Sequence, residues 1–423
     1  MYKQLFSYPL LSNQNEFYYN LESLYDFLVS DDYIKLTKHH TDRNMYNELT
    51  NCYIDNLLFL REKELPHYKD EQFNTFNLNK LYNIDILSPM DAKDKFSKLD
   101  RWEFLATTNK NAMVLVDGNI FTNESINKKK PFGIQVLDYI KKSKHKHAEY
   151  IKLIENTGNF SNFTFGTTSY PNVIIFPHGS KDRYKKNPLT VRYENSNDEP
   201  VLESNTTIFD VQYDTHVKLK EHIKLFAGQM NYTTYIVREN STLEIDRVSN
   251  DYGGWNVFDS RFICHAGSTV KINFKNTGSQ YTQENFYFKC SSDVEIDLQG
   301  RNNISKGNEY YNFVRVRSSD HDNKSTVDIR NVGNDEVKTS FIGKFEISSA
   351  SEGFSGSMDN SNLMLSKTAK MQTRPILDIY TKEIECSHGC TISNVDEEQL
   401  YYLQTKGFDK KSAENILVDS FLC

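Results

Sequence analysis

The sequence lacks the features that mark secreted, membrane-spanning or nucleotide-hydrolysing proteins. No basic segment followed by an apolar run and a small-residue cleavage site opens the chain, so no secretory signal is predicted. No stretch of about 18 apolar residues occurs, so no membrane-spanning helix is expected. The chain has no Gly-x-x-x-x-Gly-Lys-Ser/Thr phosphate loop and no Gly-x-Ser-x-Gly elbow. We therefore do not expect this chain to hydrolyse ATP or to use the serine nucleophile of that elbow.

Cysteine is scarce, and positive charge is not in excess. The six cysteines among 423 residues are scattered apart from one close pair, which favours free thiols in a reducing compartment over a disulfide framework. The net charge of −7 argues against a dedicated nucleic-acid-binding protein. The basic clusters at residues 128–130 and 141–147 contain no interleaved aromatic residues for base stacking, so we interpret them as solvated helix faces.

The periodicity of apolar residues divides the chain into three predicted domains. Residues 1–150 are predicted to be mainly helical, because apolar residues recur there at helical spacing. Residues 172–375 alternate with a period of two and predict a β core. Residues 376–423 predict a strand followed by a helical pair. A chain of 423 residues is long enough for more than one hydrophobic core.

A short motif recurs four times in the predicted β core. It reads Ser-x-Leu/Val-x-Ile and begins at Ser241, Ser268, Ser292 and Ser325, at spacings of 27, 24 and 33 residues. Each copy places two apolar residues on one face of a strand and a charged residue between them on the other. A strand that recurs in this way predicts stacked coils, because no single coil buries its apolar face alone. A β-sandwich built from alternate strands is the alternative.

The helical pair has clear boundary signals. Asp396 is a predicted N-cap with Gln399 three residues later, and Gly407 stands where a helix C-terminus is expected. Asp409 is a predicted cap for the last helix. The apolar face of that helix is predicted to consist of Ala413, Ile416, Leu417 and Phe421.

Three candidate metal ligands, Cys386, His388 and Cys390, lie within five residues. Residues two apart in an extended segment share one face, so all three can point the same way. Thiolate and imidazole donors suit iron, zinc or an iron–sulfur cluster. One short segment cannot close a four-ligand site, so such a site would be open or shared with another chain. The alternative is two small buried cysteines and a hydrogen-bonded histidine.

The other cysteines point less clearly to a site. Cys264 and His265 are adjacent on a predicted strand and face opposite ways, so they cannot bind one ion together from a regular strand. Cys290 follows an aromatic run and is interpreted as a core thiol. Cys52 lies on a predicted helix near apolar residues and is expected to be buried, and Cys423 is unassigned.

The last fifty residues carry one long composite pattern. Its elements are Pro375, Leu377, Ile379, Tyr380, Cys386, Ser387, His388, Gly389, Thr391, Asp396, Glu397, Glu398, Gln399, Leu400, Tyr402, Leu403, Thr405, Lys406 and Gly407. This pattern closely resembles the C-terminal signature of the SufB/SufD family, whose members are scaffold subunits of iron–sulfur cluster assembly. The Cys-Ser-His-Gly element resembles SufD, whereas SufB usually has Glu-His-Glu-Ala. Cys390 stands at the family's alanine position, where it is either a third thiol or, as we favour, a filler of the alanine's space.

The resemblance implies a fold and a set of partners. It implies a right-handed parallel β-helix core flanked by N-terminal and C-terminal helical domains. It also implies a non-catalytic cytoplasmic scaffold subunit that pairs with a SufB-like subunit and binds a SufC-like ABC ATPase. The terminal helices are then expected to bind the ATPase, through residues Asp396, Glu397, Gln399, Leu400, Leu403 and Gly407. Neither nucleic acid nor a membrane is an expected partner.

The resemblance also implies a role for the candidate ligands. His388, supported by Cys386, is expected to hold a transient iron–sulfur cluster that is shared with the partner chain, and Cys390 is a weaker candidate. Flavin binding is left open by the sequence. One alternative function is a homodimer in which a second copy of this chain replaces the SufB-like subunit. The other is a β-solenoid enzyme acting on polysaccharide, which would need carboxylate and basic groups along a groove and usually a secretion signal.

Overall fold

The computed structural model describes residues 203–423 except 225–227 and 251–253, residues 172–179 and 183–194, and short pieces between residues 18 and 164. Most of the predicted helical domain, both basic clusters and Cys52 lie outside these residues. The strands are β1 (Tyr18–Tyr19), β2 (Ile86–Leu87), β3 (Ala112–Val116), β4 (Asn119–Ile120), β5 (Gln135–Leu137), β6 (Asn172–Phe176), β7 (Leu189–Glu194), β8 (Glu203–Val211), β9 (His216–Lys224), β10 (Gln229–Val237), β11 (Thr242–Ser249), β12 (Trp255–Cys264), β13 (Thr269–Asn276), β14 (Tyr281–Cys290), β15 (Glu295–Ile304), β16 (Glu309–Ser318), β17 (Lys324–Gly333), β18 (Lys338–Ile347), β19 (Phe354–Met364), β20 (Lys370–Ile379) and β21 (Ile384–Asn394). The helices are α1 (Leu78–Tyr82), α2 (Arg183–Lys186), α3 (Glu397–Thr405) and α4 (Lys410–Leu422).

Two sheets of parallel strands enclose one elongated core. The even sheet contains the even-numbered strands from β6 to β20, with β5 antiparallel at one edge. The odd sheet contains the odd-numbered strands from β7 to β21, with β3 and β4 at one edge. Each coil contributes one strand to each sheet, so β8 to β21 form about seven coils. The predicted parallel β-solenoid is confirmed, and the β-sandwich alternative is wrong. Among the described helices, none is long and apolar enough to cross a membrane.

The odd sheet shows the predicted alternation between core and solvent. In β13, Ile272 is buried while Lys271 on the opposite face is exposed. The repeats stack with one correction: Val270 pairs with Leu243 on one side and with Ile296 on the other. The third motif copy had placed Val294 in that position, two residues too early. A shift of two residues keeps each side chain on the same face of its strand. The residues predicted to face the core therefore do face it, although the predicted pairing register of this copy was wrong by two residues.

The even sheet is buried on both faces. Every residue of β10 is buried, and no alternation remains. On the inner face, rings of successive coils stack, with centroid separations of 4.7 Å between Tyr235 and Phe262 and 4.6 Å between Phe262 and Phe288. On the outer face, Trp255 belongs to a cluster that includes Leu81 of α1. Residues from the N-terminal part of the chain therefore cover this sheet, which explains its continuous burial.

Polar side chains also point into the solenoid. Arg247 Nε donates to Glu221 Oε2 at 2.8 Å, and both side chains are almost fully buried. Further along the core, Asn302 donates to Asn331, and Asn331 donates to Asn362, each at 2.9 Å. These contacts join corresponding positions of successive coils, so they stabilise one stacking register over others.

The register generates a direct test of the core. Replacing Ile272, which is 1% exposed, by Asp would bury a charge in the stack and should destabilise the fold by on the order of 3 kcal/mol or more. Lys275→Asp, at an exposed position of the same strand, is the matched control and should have little effect. Thermal unfolding followed by circular dichroism compares the two variants. Equal melting temperatures would contradict the assigned faces of β13.

Candidate functional site

The last coil of the solenoid consists of β20 and β21, and no further described coil stacks on it. Strand β20 lies at the edge of the even sheet and β21 at the edge of the odd sheet, with no further described strand paired to either. Inward-facing positions of β19, such as Phe354 and Met358, are buried, whereas no residue of β21 is fully buried. The inner face of the last coil is therefore open, because no following coil covers it within the described chain.

The three candidate ligands lie on this open face. In the parallel pairing of β21 with β19, Cys386 lies beside Gly356, His388 beside Met358 and Cys390 beside Asn360. Those three β19 residues are buried and face the core. Strand alternation therefore places Cys386, His388 and Cys390 on the inward face as well.

The chain alone does not gather the three ligands around one ion. Residues four apart on a strand are separated by about 13 Å, so Cys386 and Cys390 are too far apart to bind the same ion. In the described part of the chain, the one group of three His, Cys, Asp or Glu ligand atoms within 4.8 Å of one another is Asp293, His321 and Asp322, all exposed at corner turns. Spacing along β21 therefore allows His388 and one neighbouring thiol, but not both thiols, to bind the same ion.

The two thiols beside His388 have different surroundings. Cys386 is half-buried and packs against the core cluster, as do Leu377 and Ile379. This burial raises the pKa of the Cys386 thiol above its ordinary value. Cys390 is exposed, and Thr373 Oγ1 on β20 donates a hydrogen bond to its Sγ at 3.2 Å. The contact between Thr373 and Cys390 could not be predicted from the sequence, because it joins two different strands.

A polar groove of about 680 Å³ crosses the odd sheet and ends at the same edge. It is lined by residues of β15, β17, β19 and β21, among them Asp297, Thr326, Ser357 and Ser387, which pair in register from coil to coil. Cys386 also lines this groove.

The terminal helices follow β21 directly and are capped as predicted. Asp396 Oδ1 accepts hydrogen bonds from the backbone N–H groups of Glu398 and Gln399 at 2.9 and 3.4 Å. Asp409 Oδ1 accepts from the Ser412 backbone N–H at 3.0 Å. Gly407, at a φ of +96°, ends the first helix in a backbone conformation that favours glycine.

The face of helix α4 that packs against the solenoid overlaps the predicted one, because Ala413 is fully buried and Phe421 packs against the odd sheet. Val418, which the prediction omitted, is buried against Val332 and Leu363 of the odd sheet, with Phe421 beside it. Arg330 Nη1 also donates to the Phe421 carbonyl oxygen at 2.9 Å. Ile416, which was expected in the apolar face, is exposed.

The helical pair presents an exposed aromatic surface. Tyr401, Tyr402 and Phe408 are 69%, 60% and 45% exposed. Four of the residues predicted to bind a partner, Asp396, Glu397, Gln399 and Gly407, are exposed, and Leu400 and Leu403 are partly exposed. Tyr401, Tyr402 and Phe408 were not among the predicted partner-binding residues, because only the fold reveals which helix positions remain uncovered.

The chain is similar to known proteins of one family. A family model described as the SufBD core domain of SUF-system FeS cluster assembly matches residues 194–421, which is more than half of the chain. The SufD protein of Escherichia coli is 30% identical over 92 residues, which are 22% of each protein. A SufBD family protein of Synechocystis is 21% identical over 377 residues, 84% of this chain and 82% of that protein. SufB of Bacillus subtilis is 22% identical over 176 residues, 40% of this chain and 36% of that protein.

The solenoid and the family match together define a class, the β-solenoid proteins of iron–sulfur cluster assembly. Within that class, the chain belongs to the SufB/SufD family of the SUF system. The match to the E. coli protein spans only about a fifth of that protein's length.

The different surroundings of the thiols predict different reactivities. Brief treatment of the native chain with iodoacetamide should modify the exposed Cys390 and Cys423 before Cys386, because burial lowers the thiolate fraction of Cys386. Cys264 and Cys290, each 1% exposed and paired in register, are protected controls. Peptide mass spectrometry measures each site. If Cys386 reacts as fast as Cys423, it is not held against the core.

Proposed function

We propose that this chain is a SufD-like, non-catalytic scaffold subunit that pairs with a SufB-like chain in the cytoplasm and holds a nascent iron–sulfur cluster as cargo between them. The observation that carries the proposal is the unpaired last coil, with His388 exposed on its inward face. The cysteine, histidine and glycine of the SufD-like motif stand on this same strand.

Pairing at this end satisfies several physical requirements at once. Strands β20 and β21 are ten and eleven residues long, and along one edge each their backbone donors and acceptors pair with no other strand of the described chain. Partner strands added to these edges would satisfy those groups. They would also cover Leu377, Ile379 and Cys386, which are only partly buried in this chain.

A shared cluster follows from the limited number of ligands on one chain. His388 and one adjacent thiol supply two donors, whereas a cluster iron is normally held within four ligands. A partner strand at the same edge would bring further donors to the opposite side of the cluster. Such a half-open site suits cargo that is assembled and then transferred, because it is completed only while the two chains are paired.

Self-pairing is the second candidate for this edge. Two copies related by a two-fold axis would also pair β20 and β21 with their equivalents, and each copy would contribute its own His388. Mass measurement of the chain purified alone and after co-expression with a SufB-like chain separates the two arrangements. The polysaccharide-active alternative has less support, because the family match covers most of the solenoid.

The helical pair is proposed to bind the SufC-like ATPase. Large exposed aromatic side chains beside acidic residues are typical of a protein-binding surface. Helix α4 contacts β17 through the packing of Val418 and through the hydrogen bond from Arg330. A movement of the helices would therefore be transmitted to the coils next to β21. This arrangement supports a coupling of ATPase movement to the proposed cluster site.

The ligand role of His388 has a specific test. His388→Ala in a complex co-expressed with SufB-like and SufC-like chains should lower the iron and acid-labile sulfide content by at least half, because one donor is lost. Folding should be unchanged, since His388 is exposed in the single chain, and pairing should persist because edge strands pair through their backbone groups. His178→Ala, at an exposed histidine just after β6, is the control. Unchanged iron and sulfide in His388→Ala would reject the ligand role.

The docking surface is tested with point substitutions. Deleting residues 396–423 would uncover Val332 and Leu363, so surface changes give a cleaner result. The double variant Tyr401→Ser and Phe408→Ser should weaken ATPase binding by about tenfold or more, because aromatic residues dominate protein interfaces. Tyr213→Ser, at a similarly exposed tyrosine on a distant turn, should bind normally. Equal co-purification of the ATPase with both variants would contradict the assignment.

A further inference from the structure

We infer that His388 acts together with Cys390, and not with Cys386, as the soft-metal ligand pair of this chain, and that Thr373 is the positioning residue for Cys390. The inference rests on the proposed cluster-holding function and assigns the donors within it. It goes beyond the SufD-like pattern, in which position 390 is alanine, so the assigned thiol is particular to this chain.

Spacing along the strand leaves both thiols available. Cys386 and Cys390 stand two residues on either side of His388 and share its face of β21. The Cα separation is about 6.8 Å in each case, which allows either thiolate to bind one ion together with the imidazole. The choice between them therefore depends on their surroundings.

Cys386 is held in the apolar part of the open end. It packs against the core cluster, as do the partly buried Ile379 and Ile384. To bind an ion beside His388, its side chain would have to leave this packing and expose the apolar surface beneath it. That movement opposes metal binding, because buried apolar surface is lost.

Cys390 lies in the polar part of the same open end. Its side chain is exposed, and the Thr373 hydroxyl donates to Sγ from the opposite strand, β20. Beneath it, Asn360 is buried and fixed, because its Nδ2 donates to the Ile329 carbonyl oxygen at 3.0 Å. The sulfur is therefore both accessible and oriented without any loss of core packing.

A hydrogen bond from Thr373 favours this sulfur as a ligand. Outer contacts of this kind orient metal ligands, and this one holds the Cys390 sulfur on the side of β20. Cys390 would bind as thiolate and release its proton to solvent, while His388 binds as neutral imidazole. One sulfur and one nitrogen suit Fe²⁺, Zn²⁺ or Co²⁺.

Cobalt binding to the full chain under anaerobic conditions tests the assignment. Co²⁺ is the probe, because its bond to thiolate gives a charge-transfer absorption band that oxygen and nitrogen ligands do not give. The band should persist in Cys386→Ala and disappear in Cys390→Ala. Cys423→Ala removes an exposed thiol elsewhere and is the matched control. No thiolate band in the unaltered chain, or a band lost in Cys386→Ala and kept in Cys390→Ala, would overturn the inference.

The positioning role of Thr373 has a separate readout. Thr373→Val keeps the shape of the side chain but removes the donor, and should shift the charge-transfer band and weaken Co²⁺ binding by about tenfold. Thr373→Ser restores the hydroxyl and should restore both properties. Valine and serine variants that bind cobalt alike would show that Thr373 has only a structural role.

Iron and sulfide measurements on the co-expressed complex separate this inference from the proposed function. Loss of cluster in His388→Ala and Cys390→Ala supports both. Loss in His388→Ala and Cys386→Ala, with Cys390→Ala normal, supports the proposed function and overturns the choice of thiol. Normal cluster content in all three variants rejects the proposed function itself, whatever the cobalt spectra show.

Discussion

Burial of each coil by the next is the constraint on which the rest of this structure depends. A coil has an apolar inner face and unpaired strand edges, and both are satisfied only by its neighbours. In the middle of the solenoid, Ile272 is covered on both sides by equivalent residues of β11 and β15. At β21 the same requirement is unmet on one side. The candidate site is therefore a consequence of the repeat, because it is the place where the repeat stops.

Buried polar groups make this stacking specific. Apolar side chains alone tolerate slippage by two residues, since the inner face stays apolar after such a shift. A shift of that kind would separate Arg247 from Glu221 and leave a charge buried without its partner. Burial raises the pKa of Glu284 in the same core region, and the positive charge of Arg247 partly opposes this. Such groups are costly in any other register, so they favour one alignment of the coils.

The sequence predicted one sheet of the solenoid far better than the other. In the odd sheet, solvent on the outer face preserves alternation, so residues such as Lys271 and Ile272 reveal their sides directly. In the even sheet, Trp255 and Tyr281 on the outer face are covered by residues from the N-terminal part of the chain, and alternation disappears. Motif spacing was also unreliable, as at Val294, because corner turns differ in length and allow shifts by two residues. The alternation of residues along one strand determines which face each side chain takes. The register depends on how neighbouring strands pair, which the sequence of one strand does not give.

The same distinction limits what could be predicted of the site. Alternation within β21 was sufficient to place Cys386, His388 and Cys390 on one face. It could not distinguish the two thiols, because their differences come from other strands. Thr373 is 17 residues before Cys390 and reaches it only across the end of the core, whereas Cys386 packs against the apolar core cluster. Two cysteines on one face of one strand thus differ in chemical character because β20 presents a hydroxyl to Cys390, whereas Cys386 packs against the apolar core.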